Sequence, residues 1–291
     1  MAGLCDEVRA TCARIAATAR SVSLEFDALK QIDPGPPPRL DPLRHYLEGE
    51  PEDVATYMLV VDAVNFGSGW FPTLAKRENS SGYFTVAWAI ADRFRVPGPW
   101  TNAELRAMRT EEIADTLGQR RDHELMALYA QALRSLGTFL GDRDALALVR
   151  EARGSAERLA ATLAHGMALF ADRGFYKRAQ IVPADLALAG VARFEDLHRL
   201  TIFADNAVPH VLRCDGVLRY DGALAAHIDA GRLLPAGRWE REIRACAVRA
   251  CELIATRLGA SEHELDNWLW SRGQEPAYKA RPRHRTRTVY Y

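Results

Sequence analysis

Apolar residues recur at helical spacing through most of the chain. Leu4, Val8, Cys12 and Ile15 put one apolar face on a predicted amphipathic helix over residues 3–22. Residues 51–66 open with Pro51, Glu52 and Asp53, as a helix N-terminus does. The run Met58-Leu59-Val60-Val61 inside them also suits a short buried strand, but the length of the segment favours a helix. The Gly-rich turn FGSGWFP follows, and residues 81–95 read as helical. Leu125, Leu128, Leu133, Leu136 and Phe139 mark a helix over 121–140, and Leu159, Leu163, Met167 and Phe170 another over 155–170. The cleanest stripe is Ile243, Cys246, Ala247, Ala250, Cys251, Ile254 and Leu258 over 240–258. TNAE at 101–104 and SEHE at 261–264 are capping-box patterns, the second opening a helix through about Trp270. Pro34, Pro36, Pro37 and Pro38 form a stiff connector, and the stretch from Arg281 alternates as an extended segment would. Roughly ten helical segments and almost no strands predict an all-α fold with at most a small β element. No long linker divides the chain, so residues 1–291 read as a single unit.

One apolar run carries an acid. Asp205 lies between Leu200, Ile202 and Phe203 on one side and Val208, Val211 and Leu212 on the other, with Pro209 four residues on. In a helix Pro209 has no N–H for the carbonyl of Asp205, so the ladder would open at the acid and a second helix would start near Pro209. Asp205 then reads in two ways. It is an N-cap for that helix, the commoner use of such an acid, or a functional acid at a break, where a ligand can meet it.

Composition narrows the field. The chain has 291 residues, 48% apolar and 26% charged, with zero net charge. That balance argues against a duplex-binding protein, which needs a basic excess. A small phosphorylated ligand needs only one or two cations and stays open. The five cysteines include no C-x-x-C pair, which points to reduced thiols in a cytoplasmic protein, with Cys246 and Cys251 as core residues. The N-terminus has no signal-peptide pattern, and no apolar run is long enough to span a membrane. The only lysines are Lys30, Lys76, Lys177 and Lys279, so Lys177 inside an apolar segment stands out. Nothing in the sequence fixes an oligomeric state.

Several motifs fail on inspection. Gly67-Ser68-Gly69 lacks the third glycine of a dinucleotide loop, since position 72 is proline. His123-Glu124 lacks the second zinc ligand, since position 127 is alanine. No phosphate-binding P-loop or serine nucleophile elbow occurs.

Four segments combine apolar surroundings with placed polar groups: Asp62, Asn65 and Phe66; Lys177 and Gln180; Asp205; and Asp266 with Trp270. Their spacings of three and four put each pair on one helical face. Each has an ordinary structural reading as core, cap or snorkelling side chain. Together, aromatics, acids and a lysine suit a pocket for a charged planar ligand bearing an anion.

The stretches LVVDAVNFGSGWFP, FYKRAQIVPADL, FADNAVPHVLRCDGVL, ELDNWLWSRG and HRTRTVYY, in this order from about Tyr46 to Tyr291, resemble the queuosine salvage family. The resemblance implies a queuosine 5′-phosphate N-glycosidase that releases queuine, a helical fold similar to helix-hairpin-helix DNA glycosylases, and no metal or organic cofactor. It implies Asp205 as the essential acid and Lys177, Asp62, Asn65, Phe66, Asp266 and Trp270 as site residues. On this reading Phe66 and Trp270 stack on the base, Asp266 meets the base edge or the side-arm amine, and Lys177 binds the 5′-phosphate. Arg285 and Arg287 are further phosphate candidates. The partner is then a small molecule, with no duplex nucleic acid and no membrane. His210 and Pro183 depart from the family pattern. Two rivals remain: a non-catalytic binder of modified nucleosides or tRNA, and a DNA-repair glycosylase.

Overall fold

Two apolar cores organise the chain, and each is built round a helix that the apolar pattern predicts. The computed structural model describes residues 3–36 and 38–291; of the proline connector, Pro37 lies outside the described residues and Pro34, Pro36 and Pro38 run in irregular chain. The first core gathers residues between Tyr46 and Ala192 around the helix Pro51–Ala63. This helix is buried almost all round from Val54 to Ala63, as a helix without a polar face must be. Helices Gly82–Arg95, Glu124–Leu140, Ala145–Glu151 and Lys177–Leu188 pack against it. Met58 to Val61 are therefore helical rather than a strand.

The second core centres on the helix Arg238–Leu258, whose Ile243, Cys246, Ala247, Ala250, Cys251 and Ile254 are all buried. Leu4–Ala17, Val208–Cys214 and Glu262–Arg272 pack round it. The small β element is an antiparallel ribbon pairing Val22–Leu24 with Leu218–Tyr220 in the register Val22↔Tyr220, Ser23↔Arg219, Leu24↔Leu218. The first helix ends at Ala17, before residue 22, because the chain must turn into this strand.

Other expectations shift in detail. The 101–104 capping box forms: the Thr101 hydroxyl accepts from the Glu104 N–H at 3.2 Å and the Glu104 carboxylate accepts from the Thr101 N–H at 2.7 Å. The 261–264 box does not. Ser261 donates to the Glu264 carboxylate instead, and Glu262 pairs with Arg9 at 2.7 Å. No helix among the described residues is long and apolar enough to cross a membrane. All five cysteines are free, and burial pushes the Cys5, Cys12 and Cys246 thiols up to about 12.

Residues 281–291 form no strand but cross both cores. Arg285 accepts from the Leu234 N–H at 2.8 Å, and Tyr291 accepts from the Gly67 N–H at 3.0 Å. The backbone of Thr286 and Arg287 lies against Gly69, where a Cβ would come 2.6 Å from the Thr286 carbonyl oxygen and 2.7 Å from the Arg287 nitrogen. The FGSG turn thus serves close approach of the tail, not of a dinucleotide. Gly69→Ala should lower stability by about 1–3 kcal/mol, read as a lower urea midpoint at unchanged slope. An unchanged midpoint would mean that the tail yields freely.

Candidate active site

Between the two cores lies a cavity of about 680 Å³, a volume that suits a nucleotide-sized ligand. One wall is a face of the helix Lys177–Leu188, from which Lys177, Ile181, Asp185 and Leu188 look in at helical spacing. Lys177 is 3% exposed and opens this helix; its Nζ donates to the Asn65 carbonyl at 3.0 Å and to Asn65 Oδ1 at 2.9 Å. Burial pulls the Lys177 ammonium down, while Asp205, Asp62 and Asp266 oppose that fall. Asn65 donates in turn to Asp62 Oδ1 at 3.4 Å. Asp62 itself is fully buried behind the wall, and burial, then Asp185, push its carboxyl up.

Opposite stands the loop that carries Asp205. Residues 201–207 are not helical, so no helical ladder opens at the acid; the helix starts at Val208 with Pro209 in its first turn. Asp205 Oδ1 accepts from the Ala207 N–H at 2.6 Å and the Val208 N–H at 3.4 Å, and the residue lines the cavity. Asp205 is therefore not the N-cap, which is Ala207; it bonds the turn that leads into the helix and lines the cavity. The loop is fixed from behind by Asp266, whose Oδ1 accepts from the Phe203 N–H at 2.8 Å. Burial, then Asp205, raise the Asp266 carboxyl to about 8.

A second brace reaches the same loop. Arg244 donates through Nε to the Ala204 carbonyl at 2.8 Å. Its guanidinium pairs with Asp172 at 2.5 Å and Glu240 at 3.1 Å and lies over the rings of Phe175 and Tyr291. One buried cation thus joins the loop before Asp205, the segment before Lys177 and the tail.

Aromatic rings and cations both line the cavity. Trp270 stands edge-on to Tyr83 at 5.3 Å and Phe84 at 5.5 Å. Lys76, Lys279 and Arg283 line the wall and form no salt bridge with any described residue. Burial, then Arg283, Arg44 and Lys76, pull Lys279 down, as expected of clustered cations without an anion. Among the described residues, no three His, Cys, Asp or Glu side chains converge as a metal site.

A family model described as queuosine salvage protein matches residues 44–291. The chain belongs to the queuosine salvage protein family. It is similar to proteins named queuosine 5′-phosphate N-glycosylase/hydrolase from several organisms. The relative from Sphaerobacter thermophilus is 34% identical across 98% of this chain and 97% of its own. The one from Mus musculus is 28% identical across 84% of this chain and 83% of its own. The one from Dictyostelium discoideum is 37% identical over 40% of each chain.

Of the residues that resemblance to the queuosine salvage family singles out, Asn65, Phe66, Lys177, Asp205, Asp266 and Trp270 line one cavity, and Asp62 lies just behind it. Asn65 and Phe66 fall beyond the helix end at Ala63, so the turn rather than a shared helical face brings Asn65 back to Asp62. Asp266 and Trp270 do share one face of the helix Glu262–Arg272. The Phe66 ring is buried against Tyr129, and the Arg178 guanidinium sits 4.6 Å from its centroid. Gln180 turns away from the cavity and bonds Thr201 and the Phe175 carbonyl. Arg287 points out to Glu124, whereas Arg285 lines the cavity. His210, which departs from the family pattern, is buried and bonds the Tyr278 carbonyl at 2.8 Å, away from the cavity lining.

Sequence reasoning missed Asp185, Tyr83, Phe84, Lys76, Lys279 and Arg283. Asp185 had a signal: it stands eight residues after Lys177, two turns along the same face. The aromatic and basic positions carried none, since they lie on turns and separate elements that only folding brings together.

Proposed function

We propose that this chain hydrolyses the N-glycosidic bond of queuosine 5′-phosphate and releases queuine, as the names of its relatives state for them. The observation that carries the reading is Asp205, fixed between two backbone N–H groups in a cavity that aromatic rings and cations without a salt bridge to any described residue also line. The 5′-phosphate goes to Lys279, Arg283 and Lys76, the ribose to Asp205, and the base against Trp270, Tyr83 and Phe84. Lys177, held by Asn65 among carboxylates, balances their charge; this is a better use of its position than binding the phosphate. The Phe66 ring acts as wall rather than platform, because Tyr129 and Arg178 already occupy it.

Bond cleavage leaves positive charge on the ribose in an oxocarbenium-like transition state, and a carboxylate near the anomeric carbon stabilises it. The bond from that carbon to the base nitrogen breaks with its electron pair going to the base. Water adds its oxygen to the anomeric carbon, and its proton balances the charge on the departing base. Asp205 serves as the charge partner and orients the water. Nothing in this sequence of steps requires a cofactor. The fold that goes with the reading is one unit over residues 1–291 similar to helix-hairpin-helix glycosylases, supported by a cleft between two mainly helical cores. The free cysteines favour a reducing, cytoplasmic setting.

The test is incubation of the purified protein with queuosine 5′-monophosphate, its unphosphorylated nucleoside and guanosine 5′-monophosphate, with free base followed by chromatography. Release of queuine from the monophosphate supports the reading; no release from any of the three ends it. The paired substitution Lys279→Ala and Arg283→Ala should raise KM for the monophosphate by about tenfold or more, with a much smaller change for the nucleoside. Equal losses on both would remove the phosphate from these cations.

A further inference from the structure

Asp185 is the one carboxylate lining the cavity to which no backbone N–H of a described residue donates. It is 8% exposed and lines the wall. Its partner is the carboxyl of Asp62, which burial holds ready to supply the proton the two share. Asp62 Oδ2 is buried and accepts from no N–H or hydroxyl of a described residue. Asp205 and Asp266, by contrast, each accept from backbone N–H groups. Buried polar groups are nearly always fully paired, so a carboxyl that faces a cavity with only another carboxyl behind it has room for a donor from the cavity.

Its place tells which donor. Tyr83 feels the Asp185 charge and stands edge-on to Trp270, so Asp185 belongs to the aromatic part of the cavity. If the proposed function holds, the base lies there. The base of queuosine differs from guanine by a carbon in place of N7 and by an aminomethyl arm on that carbon, whose secondary amine is a cation with two N–H donors. An unmodified purine offers no cation at that edge.

We infer that Asp185, backed by Asp62, receives the cationic amine of the substrate's side arm and so distinguishes queuosine from nucleotides that lack the arm. This rests on the proposed function and assigns its specificity. Asp185 faces the cavity and meets the ammonium, while Asp62 holds it from behind the wall. Burial raises Asp185 to about 7, and Asp62 behind it is also raised. The charged groups facing Asp185 are Asp62 on the helix Pro51–Ala63, Lys177 on its own helix and Asp266 on Glu262–Arg272, with the Tyr83 hydroxyl on Gly82–Arg95.

The test compares queuosine 5′-phosphate with 7-deazaguanosine 5′-phosphate, the same nucleotide without the arm, in the wild-type protein and in Asp185→Asn. The wild type should prefer the first by at least about tenfold in kcat/KM, because a site built to bond a substrate group rejects the analogue that lacks it. Asp185→Asn should bring the two within about threefold, through loss on queuosine 5′-phosphate. A preference that survives the substitution overturns the inference. Calorimetric binding of the free bases queuine and 7-deazaguanine to the wild type reads the same contrast without turnover and without any variant. Equal affinities there also overturn it. A clear preference for queuine in a protein that cleaves neither nucleotide would end the hydrolase reading and leave the amine site standing.

Discussion

Asp205→Asn is expected to slow release of queuine from queuosine 5′-phosphate by roughly 10³-fold or more while queuine itself still binds. The expectation follows from where the side chain sits. Its carboxylate accepts from the Ala207 and Val208 N–H groups, and an asparagine oxygen can keep both bonds, so the loop should hold its shape. What disappears is the negative charge, and that charge matters most when the ribose becomes cationic. Single-turnover rates with the monophosphate, set beside calorimetric binding of queuine, separate the two contributions. A fall in rate of less than about tenfold would move the essential acid elsewhere, with Asp266 the nearest alternative. A non-catalytic binder would keep its affinity in the variant and show no turnover to lose.

The second large effect should come from a residue that never meets the ligand. Arg244 is 2% exposed, pairs with Asp172 and Glu240, and bonds the carbonyl of Ala204 directly before Asp205. Arg244→Met fills similar volume but strands two carboxylates in the interior. Removing one partner of a buried ion pair costs about 3–5 kcal/mol, because the remaining charge stays uncompensated. The urea midpoint should fall accordingly. Arg244→Lys keeps the charge but loses the planar fork that spans Asp172 and the Ala204 carbonyl, so it should recover part of the stability and little of the turnover. An unchanged midpoint in Arg244→Met would show that this network is neutral to folding and that the Asp205 loop is fixed by Asp266 alone.

The long helices were legible because each buries one continuous stripe, and periodicity survives into the folded state. Glu124–Leu140 and Arg238–Leu258 fall within a few residues of the positions their apolar spacing predicts. Short helices such as Thr110–Thr116 and Ala145–Glu151 give too few turns for a period to show. Asp205 was visible as an acid in an apolar run, but its setting was misjudged. The run before it is non-helical and is held by Asp266 and Arg244, contacts that sequence spacing does not encode. The 261–264 box failed for a similar reason, since Arg9 draws Glu262 into an ion pair from the far end of the chain. Lys279 and Arg283 carried no signal in the sequence, because only folding brings them to the cavity wall beside Lys76.

That crossing tail bears on how the protein is made. Gly67 and Tyr291 bond each other, and Arg283, Arg285 and Tyr291 supply part of the cavity wall. During synthesis these residues leave the ribosome after every helix of both cores. A chain that has emerged only as far as Lys279 can therefore assemble its helices, yet it lacks the strap across the cleft and the Arg283 and Arg285 side chains. The cavity wall is thereby completed only when residues 281–291 have folded back over both cores.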